Sequence, residues 1–183
     1  MTQRQVLLTV IGKDRPGIIS TVTGILFKQR CNLEDISMTI LENAFSMMMV
    51  VSLPPGRQAA VQKAFQVLEK KAGLCCYWKS FVGRPKRGEA HAKDSVTHLI
   101  TAVGRDRTGI VYKISQTLAG FGLNITDLNS RILGQGQKAV YAMALEVDIP
   151  ERFAIPRLEK TLGKLQKTLG IEIQLKSAER LEL

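Results

Sequence analysis

The chain has 183 residues, 45% of them hydrophobic and 23% charged, with a formal net charge of +10. That length holds one large or two small domains, and the hydrophobic share is enough for ordinary globular cores. No apolar run approaches the roughly 20 residues of a membrane-crossing helix, and Met1-Thr2-Gln3-Arg4-Gln5 leads into a short strand rather than a secretory signal, so a cytoplasmic protein is expected.

Taken in chain order, Val6 to Ile11 is a short apolar run that ends at Gly12 and reads as a buried strand delivering the chain into a loop. After Pro16-Gly17 the period changes. Ile18, Val22, Ile25 and Leu26 follow helical spacing, Pro16 suits a first helical turn, and the helix ends near Arg30. Leu33 to Leu41 alternates, with Ile36, Met38 and Ile40 on one face. Glu42-Asn43 supplies a turn, and Phe45, Met47, Met49, Val51 and Leu53 alternate back as the second arm of a hairpin. Pro54-Pro55-Gly56 breaks it. Val61, Ala64, Phe65, Leu68 and Ala72 form a second helical stripe, Gly73 terminates it, and Leu74 to Val82 is a last strand.

The stretch from Gly83 to Asp94 is polar and aperiodic, a linker. Beyond it the pattern repeats. Gly12-Lys13-Asp14-Arg15-Pro16-Gly17-Ile18 returns 92 positions later as Gly104-Arg105-Asp106-Arg107-Thr108-Gly109-Ile110, and at the same offset Asn32 falls on Asn124 and Asp35 on Asp127. A repeat this long is a duplicated domain rather than a solenoid unit. The second copy predicts strands near 95–103, 124–133, 138–147 and 171–176. Its helices run through Ile110, Ile114, Leu118 and Phe121 and through Ile155, Leu158, Leu162, Leu165 and Leu169, and Gly134-Gln135-Gly136-Gln137 makes a longer hairpin turn.

Strand, helix, strand, strand, helix, strand is the ferredoxin-like βαββαβ order, an α+β unit with an antiparallel four-stranded sheet and two helices on one face. The expected organisation is a domain over 1–82, a linker over 83–94 and a domain over 95–183. Pairing of open sheet edges would remove the liability of each small sheet and give a joint antiparallel sheet.

The repeated turn is the candidate functional feature. A strand, a glycine-containing loop and a helix start gather unpaired N–H groups and the positive end of a helix dipole, which favours a carboxylate or phosphate. Structure alone also accounts for these residues: Asp14 and Asp106 as helix N-caps, Asn32 and Asn124 as left-handed helix ends. The three cysteines, Cys31, Cys75 and Cys76, are odd in number and read as buried small hydrophobes. With only His91 and His98 beside them, a zinc site is disfavoured. No nucleophile, base or phosphate-loop pattern marks an enzyme, and no cofactor is expected. Positive charge gathers at Arg84, Lys86 and Arg87 and along one helix side at Arg157, Lys160, Lys164 and Lys167. The strands that would carry stacking aromatics in an RNA-binding sheet carry Leu7, Val10 and Met47 to Met49 instead, which disfavours direct nucleic-acid recognition. The methionines read as core and sheet residues.

A strand, Asp14-Arg15-Pro16-Gly17-Ile18, an amphipathic helix, Asn32-Leu33-Glu34-Asp35-Ile36 and a hairpin together resemble the ACT domain, a small-ligand-binding regulatory module, and the second half resembles it too. Two such modules with no catalytic domain are similar to the glycine cleavage system transcriptional repressor family and related amino-acid-sensing proteins. The resemblance implies modules paired side by side through their sheets, with an amino acid such as glycine or serine held where one module's first loop faces its neighbour's second strand. The residues it assigns are Asp14, Arg15, Pro16 and Gly17 with Asn32, and Asp106, Arg107, Thr108 and Gly109 with Asn124. A physical account that fits them puts the ligand carboxylate on the helix N-terminal amides and its ammonium on an amide oxygen of Asn32 or Asn124 or on the carboxylate of Asp35 or Asp127. Thr108 departs from the usual proline, so the second loop is expected to be less rigid. The implied partner is a protein, such as a transcription activator or a metabolic enzyme, with the homodimer left open. The alternatives are a regulatory subunit of an enzyme and a nucleic-acid binder using its basic surface.

Overall fold

The computed structural model describes residues 4–81, 94–136 and 139–178. They form β1 (Arg4–Lys13), α1 (Ile18–Lys28), β2 (Asn32–Leu41), β3 (Ala44–Leu53), α2 (Gln58–Ala72) and β4 (Leu74–Ser80), then β5 (Ser95–Arg105), α3 (Ile110–Gly120), β6 (Asn124–Leu133), β7 (Val140–Pro150), α4 (Ile155–Leu169) and β8 (Ile171–Ser177). The chain divides into two compact units, β1 to β4 and β5 to β8, each a ferredoxin-like βαββαβ module. The ladders run within each module and give two antiparallel four-stranded sheets, ordered β2-β3-β1-β4 and β6-β7-β5-β8. The expected linker lies, apart from Asp94, outside the described residues, as do His91 and Gln137.

Alternation decides which face each strand buries. Val6, Leu8 and Val10 of β1 and Phe45, Met47, Met49, Val51 and Leu53 of β3 pack beneath Ile18, Val22 and Leu26 of α1 and Val61, Phe65 and Leu68 of α2. The second module repeats this with Ile100 and Ala102, Met143, Leu145 and Val147, Ile114 and Leu118, and Leu158 and Leu162. Met48 points the other way and is 49% exposed, so only two of the three consecutive methionines are core. The edge strand β2 keeps its predicted register, Ile36 opposite Met49, Met38 opposite Met47 and Ile40 opposite Phe45. Those three side chains nonetheless remain 41–49% exposed. A one-residue bulge between Leu33 and Asp35 interrupts that ladder, and another between Ile125 and Asp127 interrupts β6.

The glycines of the repeated turn are there for two different reasons. Gly17 and Gly109 sit at φ 90° and 94°, the left-handed region where a Cβ is strained. Gly12 and Gly104 instead lie against the neighbouring strand: a Cβ on Gly104 would stand 2.9 Å from the Ile171 Cα, and one on Gly12 would run into the Leu74 side chain.

The cysteines are less buried than expected. Cys75 is exposed, and Cys31 and Cys76 are half-buried, because Cys75 falls on the uncovered face of β4. Burial, then the nearby Glu69 carboxylate and Cys75, push the Cys76 thiol up to about 12.

Candidate functional site

The first loop is tied at two points. The Asp14 N–H donates to the Asn43 carbonyl at 2.8 Å, tying the loop to the β2–β3 turn. The Arg15 guanidinium donates to the Ala72 carbonyl at 2.6 Å, at the end of α2, and so acts as a clasp between the loop and a helix end. In the second module the Arg107 guanidinium likewise lies beside a helix end, 3.6 Å from where a Cβ on Gly170, the residue after α4, would stand.

Asp14 and Asp106 are not N-caps. The caps are Gly17 and Gly109, neither helix has a side-chain cap, and neither carries an acidic residue in its first turn. Asp14 lies four residues before Ile18 with a turn at Pro16-Gly17 between them, beyond the reach of a cap, and Pro16 precedes the helix rather than opening it. The Gly17 carbonyl accepts from the Thr21 N–H at 3.0 Å, the Thr21 hydroxyl at 2.7 Å and the Ser20 hydroxyl at 3.0 Å, which fixes the first turn. The first-turn N–H groups and the positive dipole end are thus left without a side-chain cap in both modules. A Cβ on Gly109 would meet nothing within 4 Å among the described residues, so the approach is open.

Asn32 and Asn124 are not left-handed helix ends either; those positions fall to Arg30 at φ 57° and Gly122 at φ 71°. Both asparagines open a strand. The Asn32 amide donates to Glu34 at 2.7 Å, and the Ser52 hydroxyl donates to the same Glu34 oxygen at 3.0 Å. In the second module the bulge residue is Thr126, and the carboxylate comes instead from Asp148, which lies across the ladder from Asn124 and accepts from the Thr97 hydroxyl at 3.3 Å. Asp35 receives the Ile36 N–H at 2.8 Å, and Asp127 receives the Asn129 amide at 2.7 Å.

Register separates the two halves of the predicted site. Asn32 pairs with Ser52 and Ser52 with Gln5, whereas Gly12 pairs with Phe45 at the other end of the sheet. From Gln5 to Gly12 is about 23 Å at ~3.3 Å per residue. The second module has the same geometry, Asn124 level with Thr97 and Arg105 level with Leu133. A loop and the asparagine of its own module cannot touch one amino acid.

At the asparagine end of the second module a cleft of about 460 Å³ opens between α3 and β6, bounded by Tyr112, Ser115, Gln116 and Asn124 over Ala119, Leu123 and Ile125. A second cavity of about 310 Å³ on the uncovered sheet face is floored by Ala142 and Ala144 and contains none of the predicted residues. Apart from Asn124, no cleft residue was singled out in the sequence. The available signal was disagreement between the copies, with Ser20, Gly24 and Phe27 where Tyr112, Gln116 and Ala119 stand. Among the described residues no group of three or more His, Cys, Asp or Glu could hold a metal ion, and no helix is long and apolar enough to cross a membrane.

The family model described as the ACT domain matches residues 4–76 and again 97–176. A UPF0237 protein of Methanopyrus kandleri is 41% identical over 64 residues, which is 35% of this chain and 70% of that protein. One of Methanosarcina mazei is 36% identical over 76 residues, 40% of this chain and 83% of its own length. Among solved structures, an unknown protein from Galdieria sulphuraria has a TM-score of 0.78 at 22% identity, with 97% of this chain and 100% of the other covered. A candidate glycine cleavage system transcriptional repressor has a TM-score of 0.72 at 18% identity, with 98% and 100% covered. At such identities the likeness speaks for the fold.

Proposed function

The chain belongs to the ACT domain family and carries two copies of the domain, and from that premise we propose that it is a non-enzymatic regulator that senses an amino acid and passes its occupancy on to a partner protein. The observation that carries this reading is the pair of uncapped helix starts at Gly17 and Gly109, together with the ~23 Å of strand that separates the loop end of each sheet from the end that holds its asparagine. In this reading the ligand carboxylate rests on the first-turn amides of one module, and its ammonium rests on the Asn32 or Asn124 carboxamide oxygen of another. Asp35 and Asp127 stand two register positions farther along the same edge strands and add negative potential. One ligand therefore draws its loop and its asparagine from different modules. Binding then biases how modules associate, provided the ligand interacts unequally with the alternatives.

The partner surface we assign is α4, where Arg157, Lys160, Lys164 and Lys167 are all exposed along about 15 Å of helix. Such a stripe fits an acidic protein, whether a transcription activator or a metabolic enzyme. The likeness to a candidate glycine cleavage system transcriptional repressor keeps glycine among the ligands to be tried and control of transcription among the roles.

A thermal-shift screen against the standard amino acids tests the reading. A ligand that binds only the folded state raises apparent stability as RT ln(1 + [L]/Kd). A rise that disappears in an Asn32→Ala, Asn124→Ala double variant supports it, and a flat response of the unaltered protein to all of them ends it. The same basic stripe supports nucleic-acid binding as the second reading. A gel shift with a steep salt dependence would favour it, because phosphate contacts release counterions.

A further inference from the structure

The geometry points to the cleft between α3 and β6 as a side-chain pocket that makes the second module selective for an uncharged amino acid larger than glycine or serine, with an aliphatic or thioether side chain. The inference rests on the amino-acid-sensing reading, and it names the ligand class of that same site.

Three observations carry it. The cleft adjoins Asn124, the group assigned to the ligand ammonium, so a side chain on the same ligand has the cleft beside it. Its volume of about 460 Å³ falls within the ~300–1,000 Å³ of small-molecule pockets, far more than glycine's single hydrogen can use. Its chemistry is also one-sided. Leu123 is buried beneath it, Ile125 is half-buried and Ala119 completes an apolar floor. The polar rim is neutral, with the Gln116 amide donating to the Tyr112 hydroxyl at 3.0 Å. Among the described residues no charged side chain lines the cleft, so an acidic or basic substituent would gain no ion pair there.

The two modules differ at this place. Ala119 corresponds to Phe27, which stands 82% exposed on α1, and Gln116 and Tyr112 correspond to Gly24 and Ser20. A bulky ring at this helix position is therefore compatible with the fold, and Ala119→Phe is a substitution the molecule has already made in its other half.

The test is calorimetric titration of the full chain with glycine, L-leucine and L-glutamate, repeated on Ala119→Phe, Ala119→Met and Phe27→Ala. Each variant's folding is checked by circular dichroism and thermal melting. One methylene in an apolar pocket discriminates by about 10–200-fold, so leucine is expected to bind at least ~10-fold tighter than glycine, with glutamate weaker than leucine. Ala119→Phe should abolish the preference, Ala119→Met should reduce it, and Phe27→Ala should leave it intact. Equal affinity for glycine and leucine, or a leucine preference that survives both substitutions at Ala119, overturns the pocket and leaves amino-acid sensing standing. Absence of any amino-acid binding to the unaltered chain overturns both. If Ala119→Phe fails to fold, Ala119→Met carries the decision.

Discussion

Asn124 lies directly across the β6–β7 ladder from Asp148, whereas its counterpart Asn32 lies across from Ser52 and takes its carboxylate neighbour from Glu34 on its own strand. The two modules thus keep an acidic group beside the asparagine while moving it from the bulge of the edge strand to the adjacent strand. A carboxylate there raises the negative potential at the asparagine, as the recognition of an ammonium requires. Glu34→Gln and Asp148→Asn should each weaken amino-acid binding more than they weaken binding of the matching hydroxy acid, which lacks the ammonium. Equal weakening of both, measured by titration, would restrict these groups to a structural part.

The two glycine classes predict different responses to substitution. At Gly109 the difficulty is conformational, so Gly109→Ala should cost about 1–2 kcal/mol, and Gly109→Asn less, because asparagine tolerates the left-handed region. At Gly104 the difficulty is contact with Ile171, so alanine and asparagine should both destabilise, alanine by about 1–3 kcal/mol. Urea denaturation of the four variants checks this. An asparagine advantage at Gly104 as large as that at Gly109 would refute it.

Arg15→Ala removes the clasp from the first loop to the Ala72 carbonyl. The contact is exposed, so a loss at or below about 1 kcal/mol is expected. Hydrogen exchange should quicken at residues 14–17 and at the end of α2. Unchanged exchange at both would mean that the loop holds itself.

The cysteines give a pH prediction. Burial keeps the Cys76 thiol protonated up to about 12, against an ordinary value of 9.0. Below 9.0 both folded and unfolded chains hold that proton and the contribution to stability is full. Between 9.0 and about 12 the unfolded chain releases it first, so this contribution falls as pH rises. At pH 8 iodoacetamide should modify Cys75 in the folded protein and spare Cys76. Equal labelling would contradict the placement.

Much of the fold could be read from periodicity, because the switch between two-residue and helical spacing is imposed by the cores that apolar stripes such as Val22–Leu26 and Phe45–Leu53 build. The exposure of Ile36, Met38 and Ile40 could not, since alternation looks the same whether or not a helix covers the edge strand. The turn motif announced a tight loop, but its division of labour did not show: Gly17 for its dihedral angle, Gly12 for strand contact, Arg15 for a helix end. Nor did the cleft at Asn124, whose walls come from residues that differ between the copies. Aligning the repeat drew attention to what the halves share and away from what distinguishes them.

The central claim is that one amino acid is held by the loop of one module and the asparagine of another. Titration of the ¹⁵N-labelled chain with the amino acid that gives the largest thermal shift, followed by backbone and side-chain amide resonances, tests it most directly. The account predicts concerted shifts, with one dissociation constant, at first-turn amides following Gly17 or Gly109 and at the Asn32 or Asn124 side-chain amide. Shifts confined to one end of the modules, or fitting separate constants at the two ends, would contradict it.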